Sequence, residues 1–173
     1  MGGNRVAVIR QQTPNQLSSI TLAQLEIFGG RVYYSEGVGT NAMIALEYGD
    51  SVNPLNASFL GLNAFSLGLI FEADPINSIA VGIELTSGLG EVEANASSFV
   101  NLTSEPIGNR LVFPFSAFVG IDFADVDWII LTVDSLTGSP DTILTGFTAI
   151  PEPSAVVLSL LGVAAMFGYS RRR

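Results

Sequence analysis

Asp122, Asp125 and Asp127, with Asp134 beyond the next apolar run, form the densest set of oxygen donors in this 173-residue chain. Calcium takes roughly six to eight such oxygens, so the three clustered aspartates are its candidate ligands. Their spacing lacks the turn glycine and the trailing bidentate glutamate of a calcium loop. Short acids in this pattern read first as turn residues leading the chain into a strand. Glu91 and Glu93 mimic the carboxylate pair of a glycoside hydrolase, whose carboxyls stand ~5 to 9.5 Å apart. The alternation Glu91-Val92-Glu93 is met more simply by a solvated strand face with Val92 turned inward. Nucleophilic routes are closed by composition: the chain has no histidine, no cysteine and no lysine. Neither a serine-histidine triad nor a serine-lysine dyad can assemble, and disulfides, thiol catalysis and the common zinc ligand sets are excluded. The expectation is a non-enzyme without a cofactor, calcium being the one metal its side chains suit.

Trp128, the single tryptophan, is the candidate ligand platform. In Asp127-Trp128-Ile129-Ile130-Leu131-Thr132-Val133-Asp134, alternation sends Ile129, Leu131 and Val133 to one face and Trp128, Ile130 and Thr132 to the other. The second face is too apolar to be simply wet. Either a further layer covers it, or it is an exposed platform whose indole suits stacking against a sugar ring or a protein. A strand apolar on both sides is most often buried on both.

The elements that must position these residues are short strands separated by glycine and polar turns. Alternation predicts strands over Arg5–Gln11, Ser19–Phe28, Arg31–Ser35, Ala42–Tyr48, Ala64–Glu72, Ile79–Leu85, Glu91–Ala96, Arg110–Phe113, Asp127–Val133 and Thr142–Ala149. Gly29-Gly30 is a hairpin signal. Ser58–Leu69 and Ser97–Leu102 are the helical rivals, opposed by Gly61, Gly68 and the β-branched flanks; a single helical turn fits Phe115–Val119. Strands at near-regular spacing with turn signals between them predict an all-β antiparallel sandwich.

The C-terminus breaks that pattern. Pro151-Glu152-Pro153-Ser154 is followed by an uncharged stretch from Ala155 to Ser170 and then by Arg171-Arg172-Arg173. As a helix, 155–170 would span roughly 24 Å, short for a ~30 Å hydrocarbon core but sufficient with arginines reaching the headgroups. The arginine cluster would hold the terminus in the cytoplasm and place the rest outside. Two prolines favour an extended segment that a protease can grip beside the membrane. Two units follow: a body over 1–149 and a terminal segment over 150–173. The body keeps only four arginines against fifteen acidic residues, so nucleic acid and anionic lipid are excluded as its partners by charge.

Pro-Glu-Pro, a small residue, an apolar span and an arginine cluster, in that order, resemble the PEP-CTERM sorting signal of exported bacterial proteins. The resemblance implies that an exosortase, a membrane-embedded cysteine transpeptidase or protease, recognises Pro151, Glu152 and Pro153, while Arg171, Arg172 and Arg173 act as the membrane stop. It implies passage through the inner membrane to the envelope, cell surface or extracellular matrix. Gly29-Gly30-Arg31-Val32-Tyr33-Tyr34-Ser35, Tyr48-Gly49-Asp50, Leu111 to Phe118 and Asp122 to Asp127 also look like the body common among such surface proteins, which is expected to be a jelly-roll-like sandwich. The opening Met1 to Arg10 lacks the apolar run of an export leader, so the true start is expected upstream. The sequence therefore reads as an exported, structural β-sandwich sorted by an exosortase. The alternative is a carbohydrate-binding module working in extracellular polysaccharide, with Trp128 as its stacking residue.

Overall fold

The computed structural model describes residues 5–13, 24–28, 31–35, 41–71, 78–89, 93–137 and 141–151, of which 5–13, 24–28 and 41–42 are described by backbone alone. These residues form ten strands: β1 (Arg5–Thr13), β2 (Gln24–Phe28), β3 (Arg31–Ser35), β4 (Asn41–Tyr48), β5 (Leu62–Phe71), β6 (Ser78–Ser87), β7 (Ala94–Leu102), β8 (Arg110–Pro114), β9 (Val126–Thr137) and β10 (Thr142–Pro151). Two five-stranded sheets result, one in the order β1-β4-β9-β6-β7 and the other in the order β2-β3-β10-β5-β8. Every pairing is antiparallel.

The connectivity follows from one long hairpin. β3 to β6 run out and β7 to β10 run back, so that β3 meets β10, β4 meets β9, β5 meets β8 and β6 meets β7. Rolling that ribbon brings β10 onto β5 and β9 onto β6, which closes two sheets face to face in jelly-roll fashion. β1 and β2 extend one edge of each sheet through β4 and β3. The expected all-β antiparallel sandwich is the observed fold.

Alternation supplies the core. Ile44, Leu46 and Tyr48 of β4, Val81, Ile83 and Leu85 of β6, and Ile129, Leu131 and Val133 of β9 are all buried, facing Phe65, Leu67, Leu69 and Phe71 of β5. Phe113, Phe115, Phe118 and Phe123 close one end of the sandwich around Phe65; Phe115 and Phe123 stack with centroids 4.0 Å apart and Phe65 lies 4.9 Å from Phe115. The Phe-Pro-Phe and Asp-Phe-Ala-Asp segments singled out in the sequence are thus aromatic packing. Tyr34 is buried and Tyr33 half-buried, as adjacent strand residues must divide.

β7 corrects the expected boundaries. The strand covers Ser97–Leu102, one of the two helical rivals, and begins after Glu93. Its exposure alternates residue by residue, because pairing with β6 along its length supplies the backbone partners a lone helix would have had to make for itself. The other rival, Ser58–Leu69, is strand β5 from Leu62 onward, and only its first four residues form an irregular segment leading into it. The helical turn at Phe115 is a 3-10 turn over Phe115–Ala117.

β10 extends to Pro151, which is exposed and registers with Leu62. Among the described residues no helix is long and apolar enough to cross a membrane. Glu152, Pro153, the apolar stretch 155–170 and Arg171, Arg172 and Arg173 lie outside the described residues, as do Met1 to Asn4 and Glu91.

Candidate functional site

The outer face of the β1-β4-β9-β6-β7 sheet follows from the register. Residues opposite the core positions form rows across the strands: Trp128, Thr86 and Asn95; then Glu47, Ile130, Glu84 and Ser97; then Ala45, Thr132, Gly82 and Phe99; then Met43, Asp134, Ala80 and Asn101. No third layer of described strands covers these rows. On the apolar second face of β9, Trp128 and Ile130 are half-buried, whereas Thr132 and its register partner Ala45 are buried.

Trp128 is half-buried on that face. With Ile130 and Leu85 it lines a groove of about 470 Å³ whose polar wall is made by Glu84, Thr86, Asn95 and Ser97. The volume falls within the ~300 to 1,000 Å³ common for small-ligand clefts. The wall is ordered by a short relay: the Thr86 hydroxyl donates to Asn95 Oδ1 at 2.6 Å, and Asn95 Nδ2 donates to Glu93 Oε1 at 2.9 Å. Trp128 Nε1–H is buried and has no hydrogen-bond partner among the described residues.

Two further features frame the floor. On one side the chain after β4 returns alongside the start of β9, where Leu55 N donates to Asp127 O at 2.6 Å and Ala57 forms a bridge with Val126. On the other, the Phe99 ring lies over Gly82, where the Thr132 hydroxyl also borders the space a Cβ would take. Phe99 remains about half exposed, making it a second aromatic on the face that carries Trp128. Phe99 was not singled out from sequence, although the outward period of Asn95, Ser97, Phe99 and Asn101 carried the signal.

The aspartate candidates have local duties. Asp122 Oδ1 accepts from Ala124 N at 2.8 Å and Asp122 N donates to Ser87 Oγ at 3.0 Å, which makes the turn before β9. Asp127 is buried, and its Oδ2 accepts from Leu89 N at 2.9 Å. Asp125 is exposed and donates through its backbone N–H to Asp122 O. Asp134 lies on the outer face with Oδ1 buried and unpartnered among the described residues. Among those residues no three His, Cys, Asp or Glu side chains gather into a group that could hold a metal ion. Glu93 stands exposed just before β7.

No protein-family model matches the chain, and no curated protein matches it. Among solved structures it is similar to a family 11 carbohydrate-binding module from Clostridium thermocellum in complex with a β-1,3-1,4-mixed-linked tetrasaccharide, at 13% identity and a TM-score of 0.51 over 86% of this chain and 89% of that one. The family 11 module of a cellulosomal cellulase of Clostridium thermocellum follows at 12% identity and a TM-score of 0.49 over 86% and 88%. A family 12 xyloglucanase from Bacillus licheniformis is also similar, at 7% identity and a TM-score of 0.43 over 84% and 99%. At such identities what is shared is the two-sheet sandwich.

Proposed function

We propose that the body is a non-catalytic carbohydrate-binding module, with the groove on the outer face of the β1-β4-β9-β6-β7 sheet as its site and Trp128 as its stacking residue. The observation that carries this reading is the half-buried Trp128 lining a concave, hydroxyl- and amide-walled groove. Sugars offer an apolar ring face and a rim of hydroxyls, and that lining offers an aromatic surface beside fixed polar groups. Chemistry on the bound sugar is no part of the proposal, which rests on the aromatic and polar lining of the groove. Similarity of fold to carbohydrate-binding modules agrees with the reading without fixing a ligand.

The test uses Trp128 as its own reporter, since it is the only tryptophan. Titration with glycan oligomers is expected to shift its fluorescence, and Trp128→Ala is expected to weaken retention on the same glycan by at least about tenfold, about 1.4 kcal/mol. Retention unchanged in that variant would remove the site.

We further propose that the terminal segment sorts the protein to the cell surface or matrix through an exosortase, on the strength of Pro151-Glu152-Pro153, the uncharged stretch 155–170 and Arg171-Arg172-Arg173. Pro153→Ala, or deletion of 171–173, is expected to leave the chain unprocessed or misplaced with its body folded. Unchanged localisation of both variants in a host with its exosortase would end this reading.

A further inference from the structure

The row beside Trp128 places two carboxylates on either side of an apolar residue. Glu47 of β4, Ile130 of β9 and Glu84 of β6 are direct register partners on the outer face. Two inter-strand steps of ~4.8 Å put the backbones of the two glutamates about 10 Å apart, with Ile130 as the floor between them. One row further from Trp128 than Thr132, Asp134 has its Oδ1 buried without a donor among the described residues, and through Met43 the same row carries Arg10 of β1.

The uncharged groups of the groove tilt the same way. A hydroxyl has one proton to give, and that of Thr86 goes to Asn95 Oδ1, so Thr86 meets a ligand as an acceptor. Asn95 has already spent one of its two amide protons on Glu93. No lysine exists in the chain, and no arginine lines the groove. The groove is rich in acceptors and negative charge, and no cation lines it to receive an acid.

Resting on the carbohydrate-binding reading above, we infer that this groove selects a glycan whose sugars carry free amines, and that it rejects polymers of uronic acids. A sugar ammonium brings three donors and a positive charge to Glu84 or Glu47 while its ring faces Trp128 or Ile130; the same amine capped by an acetyl group loses the charge and two of the donors. A uronate would meet carboxylates with no guanidinium to pair it. The whole-chain charge of −9 would draw any polycation, so the selectivity has to be read at the groove itself.

The experiment follows Trp128 fluorescence in the full-length chain, titrated with a short glucosamine oligomer, its fully N-acetylated counterpart and a galacturonic acid oligomer. The amine oligomer is expected to bind about tenfold more tightly than the acetylated one, in keeping with charge-assisted hydrogen bonds, and the galacturonate to leave the signal unmoved. Glu84→Gln is expected to erase most of that ratio while binding of the acetylated oligomer persists. Glu105→Gln, an exposed acid off the groove, is expected to leave the ratio in place. Equal affinity for the two amino-sugar oligomers, tighter binding of galacturonate, or equal losses in Glu84→Gln and Glu105→Gln would each overturn the inference and leave carbohydrate binding standing. Silence toward all three, together with silence toward neutral glucan oligomers, would overturn both.

Discussion

Phe99 and Gly82 are register partners on neighbouring strands, and the ring of the first occupies the space in which a Cβ of the second would stand. The Thr132 hydroxyl, 2.8 Å from that Cβ position, closes the gap from the opposite strand. A glycine at the centre of a sheet lacks a side chain to pack, and here an aromatic from the edge strand supplies the cover. Phe99→Ala is therefore expected to cost about 0.5–1 kcal/mol, the scale of a cross-strand pair. Gly82→Ala should cost a similar amount by displacing the ring. In a double-mutant cycle read by urea unfolding, the two losses are expected to be less than additive, because each removes the same contact; additive losses would show the ring and the glycine to be independent.

Strand positions were legible in this chain wherever alternation was unbroken. Ile129, Leu131 and Val133 face the core and Trp128, Ile130 and Thr132 face away, as their period of two requires. β7 was less legible, because Ala94 to Leu102 mixes small polar residues with single apolar ones, and its strand state depends on β6 as a partner. The groove was legible only at Trp128. Glu84 and Asn95 lie far from it in sequence and join it through the β9-β6-β7 order, which no local pattern encodes. The aspartates before β9 show the converse: a compact set in sequence is divided by the strand start, with Asp127 turned into the fold and Asp122 spent on its own turn.

Phe65 is fully buried and its ring meets Phe59 at 5.2 Å, Phe115 at 4.9 Å, Phe118 at 6.2 Å and Phe147 at 5.2 Å. It joins the irregular chain before β5, the turn after β8 and strand β10 in one cluster. Phe65→Ala is expected to destabilise the body by about 3–5 kcal/mol, as aromatic deletions in closed cores do. Half-exposed Phe99, truncated to alanine, serves as the comparison in chemical unfolding. A loss at Phe65 no larger than that at Phe99 would refute the cluster.

Gly49 has φ +77°, and a Cβ there would collide with Asp127 O and stand 2.8 Å from Leu55 N. Gly61 has φ +79° but nothing within 4 Å of its Cβ position. Gly61→Ala thus isolates the dihedral cost, about 1–2 kcal/mol, whereas Gly49→Ala adds a clash with backbone that cannot swing aside. The Gly49 variant is expected to be the less stable of the two in thermal unfolding, and to shift Trp128 emission as the segment at Leu55 moves off the start of β9. Equal melting temperatures would show that the segment yields without cost.

Asp50 ends the β4 turn with one oxygen, Oδ1, accepting from Asn53 N at 2.7 Å and Val52 N at 2.6 Å. The backbone N–H of Asn53 first, and then that of Val52, hold its carboxyl below the usual carboxylate range. A depressed value means that the folded loop favours the ionised form. The contribution is complete above the unfolded group's pKa and is lost as pH falls through the folded one. In an acid titration followed by carbon-13 NMR, Asp50 is expected to titrate below the usual carboxylate range, and exchange of the Val52 and Asn53 amides should quicken beyond the ordinary pH trend as it protonates. Asp50→Ala is expected to show that quickened exchange already at neutral pH and to lose its dependence on acid. A titration of Asp50 within the usual carboxylate range would show that the two amide bonds do not persist in solution.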